Sequence, residues 1–131
     1  MKISHVAIVV KPEDYTNTLE KFRKILRLDF YEKVLEDQKI KVAIFRLENS
    51  SIEIITPTEM GSTVDKFLEK RGGGIHHVAI MVDKVDSEVE RLKNEGFVFA
   101  LENMEGAKGK VAFIHPKSTG GVLIELVENE Y

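Results

Sequence analysis

Two histidine–glutamate pairs recur in this sequence at the same spacing. His5 precedes Glu53 by 48 positions, and His77 precedes Glu125 by 48 positions. Each glutamate lies inside an apolar run, where a buried carboxylate is costly unless it is paired, protonated or bound to a metal. Two imidazoles and two carboxylates are a donor set for a divalent cation, and carboxylates also serve in proton transfer. These four residues are therefore the candidate functional site.

Two adjacent histidines, His76 and His77, open the second apolar run, "HHVAIMV". Side chains alternate between the two faces of a strand, so His77 shares a face with Ala79 while His76 lies on the opposite face. We therefore interpret His77 as the ligand and His76 as its neighbour.

The elements that position these residues form two copies of one pattern, a strand, a helix and three strands. Runs rich in Val, Ile and Phe, separated by polar turns, predict the strands. Apolar residues at helical spacing predict the helices, and glycines end the second and third of them. The predicted strands are 3–10, 28–35, 39–47, 51–57, 76–82, 97–101, 110–116 and 121–128. The predicted helical segments, each given with the glycines that end it where there are any, are 11–26, 62–74 and 83–96.

The helices carry more specific signals. Pro12 suits the first turn of the first helix, and Ser62 and Asp65 have the spacing of a capping box in the connecting segment. Each helix should present one apolar face to the core. The predicted inward residues are Tyr15, Leu19, Phe22, Ile25 and Leu26 in the first helix, Val64, Phe67 and Leu68 in the second, and Val85, Val89 and Leu92 in the third.

The composition excludes several classes of function. The 131 residues include no cysteine, which excludes disulfides, thiolate metal sites and a cysteine nucleophile. A net charge of −3 gives no field to hold a polyanion, and no apolar stretch approaches the roughly 20 residues that cross a bilayer. We expect a cytoplasmic protein with neither nucleic acid nor a membrane as partner.

If pseudo-two-fold symmetry relates the two halves, the four candidate side chains converge on one cation, for which Co²⁺, Mn²⁺, Ni²⁺, Zn²⁺, Fe²⁺ or Mg²⁺ is suitable.

Paired modules carrying "SHVAIVV…SIEII" and "HHVAIMV…VLIEL" resemble the vicinal oxygen chelate superfamily, which includes glyoxalase I, extradiol dioxygenases and bleomycin-resistance proteins. Within it, "VDKFLEKRGGGIHHVAIMVD" and "KVAFIHPKSTGGVLIELVE" are similar to the methylmalonyl-CoA epimerases, and the likeness covers nearly the whole chain. The resemblance implies an α+β fold in which two βαβββ modules form a partly closed mixed-sheet barrel. The single domain 1–131 then comprises module one at 1–60, a connector helix at 61–72 and module two at 73–131.

The resemblance also implies an activity and a site. The activity is interconversion of (R)- and (S)-methylmalonyl-CoA through a metal-stabilised enolate. The metal ligands fall on His5, His77 and Glu125, with Glu53 in the fourth position, where some epimerases have glutamine. We expect Co²⁺ as the cation, Glu125 and Glu53 as the proton-transfer residues, and a homodimer. The alternatives are a glyoxalase I-like lactoylglutathione lyase and a non-catalytic binding protein of the drug-resistance type.

Overall fold

The computed structural model describes residues 1–106 and 109–129, without the side chains of 103–106 and 109. The order of elements confirms the α+β class and the repeated βαβββ pattern with a connecting helix. The strands are β1 (Lys2–Val9), β2 (Tyr31–Leu35), β3 (Ile40–Arg46), β4 (Ser51–Pro57), β5 (Gly74–Met81), β6 (Phe99–Gly106), β7 (Gly109–Ile114) and β8 (Ile124–Val127). The helices are α1 (Pro12–Leu26), α2 (Asp65–Arg71) and α3 (Val85–Asn94).

The chain divides into two compact units. The continuous unit is Val6–His76, and the split unit combines Met1–His5 with His77–Tyr131. The first strand is therefore divided, with its first four residues in the split unit and its last four in the continuous unit. This division assigns His5, His77 and Glu125 to one unit and Glu53 to the other.

In the continuous unit, β2, β3 and β4 pair antiparallel in that order. Both faces of β3 and β4 are covered, which explains their nearly continuous apolar sequence, whereas the residues of β2 are mostly exposed. One face packs under α1 around Ala43, Phe45 and Ile54. The other face includes Ile44 and packs against Val64, which precedes α2. Five α1 residues were predicted to face the core. The prediction is wrong for Ile25, which is 71% exposed.

Before α2, the predicted capping-box residues do contact each other. The Ser62 hydroxyl donates to Asp65 Oδ1 at 2.6 Å, and the backbone N–H groups of Gly61 and Ser62 donate to Asp65 Oδ2 at 2.8 and 3.1 Å. The Ser62 oxygen in turn accepts from the Val64 N–H at 3.3 Å, where a standard box would use the N–H of Asp65. The pair therefore fixes the turn through which the chain enters α2.

Asp65→Asn is expected to destabilise the protein near neutral pH and to have little effect in acid. The Ser62 hydroxyl and then the Gly61 N–H favour the ionised carboxylate, so the pKa of Asp65 lies below its ordinary value of 3.8. A carboxyl whose folded pKa is depressed contributes stability above its unfolded pKa, and this contribution is lost as pH falls through the folded pKa. Urea unfolding of both proteins at about pH 7 and about pH 2 measures the difference. A difference that is the same at both pH values would contradict the expectation.

In the split unit, β5 pairs parallel with β8, β8 pairs antiparallel with β7, and β7 pairs antiparallel with β6. Helix α3 covers one face through Val85 and Val89, which pack with Ala112 and Leu126. The opposite face carries His77, Ala79 and Glu125, as the alternation along β5 and β8 requires. Strand β6 runs to Gly106, five residues beyond the predicted end at 101.

The first turn of α3 is tied to the segment that follows β8. Glu128 accepts a hydrogen bond from the Val85 N–H through Oε1 at 2.9 Å, which satisfies one of the free N–H groups at the helix start. Its negative charge also lies at the favourable end of the helix dipole. This contact joins α3 to the strand that carries Glu125.

Glu128→Ala is expected to lower the free energy of unfolding by about 1 kcal/mol, the typical cost of losing a side-chain partner at a helix start. Urea unfolding measures the loss. Glu90→Ala is the matched control, because Glu90 is an exposed glutamate on α3, the helix that Glu128 contacts. Equal stability of the Glu128 variant and the control would show that the contact contributes nothing.

Among residues 1–106 and 109–129, no helix is long and apolar enough to cross a membrane.

Candidate metal centre

Three of the four predicted site residues form a compact triangle of ligand atoms in the split unit. His5 Nε2 lies 3.2 Å from His77 Nε2 and 3.1 Å from Glu125 Oε1. His77 Nε2 lies 3.3 Å from the same Glu125 oxygen. This group has the composition and spacing of a site that could hold a metal ion.

The strand pairing of the split unit explains why Glu125 and His77 meet. Glu125 is in register with Ala79 of β5 on one side and with Phe113 of β7 on the other. His77 precedes Ala79 by two residues, so its side chain lies on the same face as Glu125. His5 joins them from the fourth position of β1.

The three side chains are almost completely removed from solvent. The exposed fractions are 1% for His5, 8% for His77 and 7% for Glu125. Burial by itself raises the pKa of Glu125, but the adjacent His5 and His77 imidazoles outweigh it and lower this pKa to about 2. Glu125 is therefore a carboxylate at any ordinary pH, in a place where an isolated negative charge would be unfavourable.

Spacing and hydrogen bonding both fit a bound cation. Zn²⁺ and Mg²⁺ hold nitrogen and oxygen ligands at about 2.1 Å, which places neighbouring ligand atoms about 3.0 Å apart at right angles and about 3.4 Å apart in a tetrahedron. The three observed separations, 3.1, 3.2 and 3.3 Å, fall between these values. Within the described part of the chain, Glu125 Oε1 is a buried atom with no geometrically ideal hydrogen bond, although both imidazole nitrogens lie within 3.3 Å of it. A cation would satisfy that oxygen.

The structure distinguishes His77 from His76 as the alternation predicts. His76 belongs to the continuous unit, and its ring packs edge-on against Phe67 with centroids 4.9 Å apart. It is outside the group of three ligand atoms.

Glu53, the fourth predicted residue, lies in the continuous unit on β4, in register with Ile44 of β3. Its side chain is 3% exposed and shares a sheet face with Ile44 and Ile55, opposite the face that α1 covers. The group of three ligand atoms does not include it. Its role as fourth ligand or proton-transfer group stays a prediction.

Two residues that were not predicted from the sequence contact the ligands directly. Ser4 Oγ lies 3.2 Å from His5 Nδ1, and the Phe113 ring packs edge-on against the His77 ring with centroids 5.7 Å apart. Phe113 could have been found from the sequence only with the register of β7 against β8 in hand. Ser4 gives no signal of its own, because neighbouring residues on a strand normally point to opposite faces.

The "HPKSTGG" loop, residues 115–121, sets the start of β8 and hence the place of Glu125. His115 Nδ1 accepts from the Lys117 N–H at 3.1 Å, and Ser118 Oγ accepts from the Val98 N–H at 3.0 Å. Gly121, with a φ of 100° that a side chain would disfavour, donates its N–H to the Pro116 carbonyl at 2.8 Å. The specific sequence of this loop is thus explained by a compact turn.

Comparison with known proteins identifies relatives over nearly the whole chain. The Glyoxalase/Bleomycin resistance protein/Dioxygenase superfamily matches residues 4–113. The mitochondrial methylmalonyl-CoA epimerase of Homo sapiens is 36% identical over 129 residues, 95% of this chain and 72% of that protein. The ethylmalonyl-CoA/methylmalonyl-CoA epimerase of Cereibacter sphaeroides is 35% identical over 130 residues, 95% of this chain and 96% of that protein. A variant of the Streptomyces coelicolor methylmalonyl-CoA epimerase, solved with 2-nitronate-propionyl-CoA, superimposes with a TM-score of 0.85 at 29% identity, covering 98% of this chain and 94% of that one.

Proposed function

Because this chain belongs to the Glyoxalase/Bleomycin resistance protein/Dioxygenase superfamily, we propose that it is a methylmalonyl-CoA epimerase, which interconverts the (R) and (S) forms of its substrate. The observation that carries the proposal is the buried triangle of His5, His77 and Glu125, in a chain that matches epimerases over 95% of its length. A site built only to bind an apolar ligand would not need an ionised carboxylate held between two imidazoles. The substrates of the relatives support an acyl-CoA as the substrate, and ethylmalonyl-CoA is a second candidate beside methylmalonyl-CoA.

Epimerisation requires removal of the proton from the carbon between the thioester and the carboxylate, and its return to the opposite face. We assign His5, His77 and Glu125 to hold a divalent cation, and we propose Co²⁺. When bound, the cation supplies positive charge that stabilises the negative charge developing on the thioester oxygen. The three protein ligands are buried, so water is kept from the ligand atoms themselves.

Glu53 and Glu125 are the proposed proton-transfer residues. A carboxylate with a pKa of about 2 is a weak base, so Glu125 must loosen from its imidazole neighbours before it can accept a proton. Glu53 is a buried carboxylate on β4 of the continuous unit, and its proposed acceptor role rests on the resemblance to the epimerases. General acid–base help of this kind is typically worth roughly 10²- to 10⁴-fold in rate.

The test of function is incorporation of solvent deuterium into racemic methylmalonyl-CoA, followed by mass spectrometry. We expect exchange at the carbon between the two carbonyl groups, and conversion of either pure stereoisomer into the mixture. The hemithioacetal of glutathione and methylglyoxal is the matched negative substrate. Turnover of that compound without exchange of methylmalonyl-CoA would assign the protein to the glyoxalase I reaction instead.

Removing the cation is expected to stop the exchange. The protein is treated with a chelator, dialysed and assayed before and after addition of Co²⁺. Loss of the cation removes a stabilisation of several kcal/mol, so the rate should fall by at least about 10²-fold and recover when Co²⁺ is restored. Full activity of a protein shown by elemental analysis to be metal-free would contradict the assignment.

The homodimer and the division into modules at 1–60 and 73–131 remain proposals. Sedimentation equilibrium would give the mass of the assembly against the 14.9 kDa of one chain.

A further inference from the structure

We propose that Ser4 is a positioning residue for the metal centre: its hydroxyl accepts the proton of His5 Nδ1 and so keeps His5 Nε2 free to bind the cation. The inference rests on the metal site proposed above. Ser4 does not touch the cation in this scheme and acts only through His5.

The geometry places the two nitrogens of His5 in different surroundings. Nδ1 lies 3.2 Å from Ser4 Oγ, whereas Nε2 points to Glu125 Oε1 at 3.1 Å and to His77 Nε2 at 3.2 Å. Ser4 is 8% exposed and His5 1%, so water has little access to the contact between them. A neutral imidazole carries one proton, on one nitrogen or the other.

Only one of the two tautomers suits a metal ligand. If the Ser4 hydroxyl donated to Nδ1, the imidazole proton would sit on Nε2, among the three ligand atoms, and a cation would have to displace it. If Nδ1–H donates to Ser4 Oγ, Nε2 presents its lone pair to the cation, and the hydrogen bond fixes the orientation of the ring. A metal-bound histidine commonly has such a partner on its other nitrogen, and loss of the partner typically weakens metal binding by roughly 10- to 100-fold.

His77 shows that the two imidazoles are positioned by different contacts. The His77 ring packs edge-on against the ring of Phe113, which lies on β7 in register with Glu125 of β8. A substitution at Ser4 should therefore disturb His5 and leave the contact between His77 and Phe113 in place.

The test compares the wild-type protein with Ser4→Ala, Ser4→Thr and Ser62→Ala. Zn²⁺ affinity is measured by competition with a chromophoric chelator, and the histidine tautomers are read from long-range ¹H–¹⁵N spectra of the Zn²⁺-loaded proteins. Ser62 is the matched control because it is 9% exposed and its hydroxyl also makes a partly buried hydrogen bond, in the turn before α2. Thr keeps the hydroxyl and suits a strand.

We expect Ser4→Ala to weaken Zn²⁺ binding by roughly 10- to 100-fold, and we expect Ser4→Thr and Ser62→Ala to stay near the wild-type value. The wild-type spectrum should show the proton of His5 on Nδ1, a result that requires no variant to fold. A proton on Nε2 in the Zn²⁺-loaded wild type, or wild-type affinity in Ser4→Ala, would overturn the role of Ser4 while leaving the metal site intact. Failure of the wild-type protein to bind Zn²⁺ would overturn the metal site and this inference together.

Discussion

Glu125→Gln is expected to abolish epimerisation almost completely, with a fall of at least about 10³-fold in rate and a large loss of metal affinity. The change removes the only negative charge of the three ligands and keeps the size of the side chain. Without that charge, two imidazoles and a neutral amide oxygen remain, and these hold a divalent cation less tightly than a set that includes a carboxylate. Each tenfold loss of rate corresponds to about 1.36 kcal/mol, so a 10³-fold effect is within the several kcal/mol that a Lewis acid contributes.

Deuterium exchange into methylmalonyl-CoA and Zn²⁺ competition measure the two effects of Glu125→Gln separately. Glu90→Gln is the control, an identical change at an exposed position of α3. Thermal unfolding should be recorded in parallel, because Glu125 also interacts with two buried imidazoles. A Glu125→Gln protein that exchanged substrate and bound Zn²⁺ as the control does would remove Glu125 from the site.

Glu53→Gln is expected to give the second-largest effect, roughly a 10²- to 10⁴-fold loss in the rate of inversion. Glutamine keeps an oxygen that can bind a cation but cannot accept a proton near neutral pH. If Glu53 and Glu125 act on opposite faces of the substrate, the variant should lose deprotonation of one stereoisomer. The other stereoisomer should still exchange its proton with solvent, although without inversion.

This prediction is checked with pure (R)- and (S)-methylmalonyl-CoA assayed separately in D₂O, with Glu59→Gln as the control in the exposed segment after β4. Equal loss of exchange from both stereoisomers, together with weakened Zn²⁺ binding, would make Glu53 a ligand and not a base. Inversion at the wild-type rate would exclude Glu53 as a base.

The sequence alone determined the order of the elements and the faces of the strands. The alternation of side chains along β5 separated His77 from His76, and the shared spacing of 48 positions made His5, Glu53, His77 and Glu125 the candidates, of which three come together. These features are local or repeated, so they can be read without knowing which strands are neighbours. The same reasoning failed at Ile25, where helical spacing predicted burial but the end of α1 leaves the side chain in solvent.

Tertiary structure alone decided which ligand atoms meet. The triangle depends on the parallel pairing of β5 with β8, whose paired residues are about 46 positions apart, and on β1 contributing its first residues to the same unit. Alternation fixes the face of a side chain but not its neighbours, because strand order and register are set by the packing of the whole chain. For that reason only the three-dimensional structure could reveal the contact between Ser4 and His5 and the hydrogen bond from the Val85 N–H of α3 to Glu128.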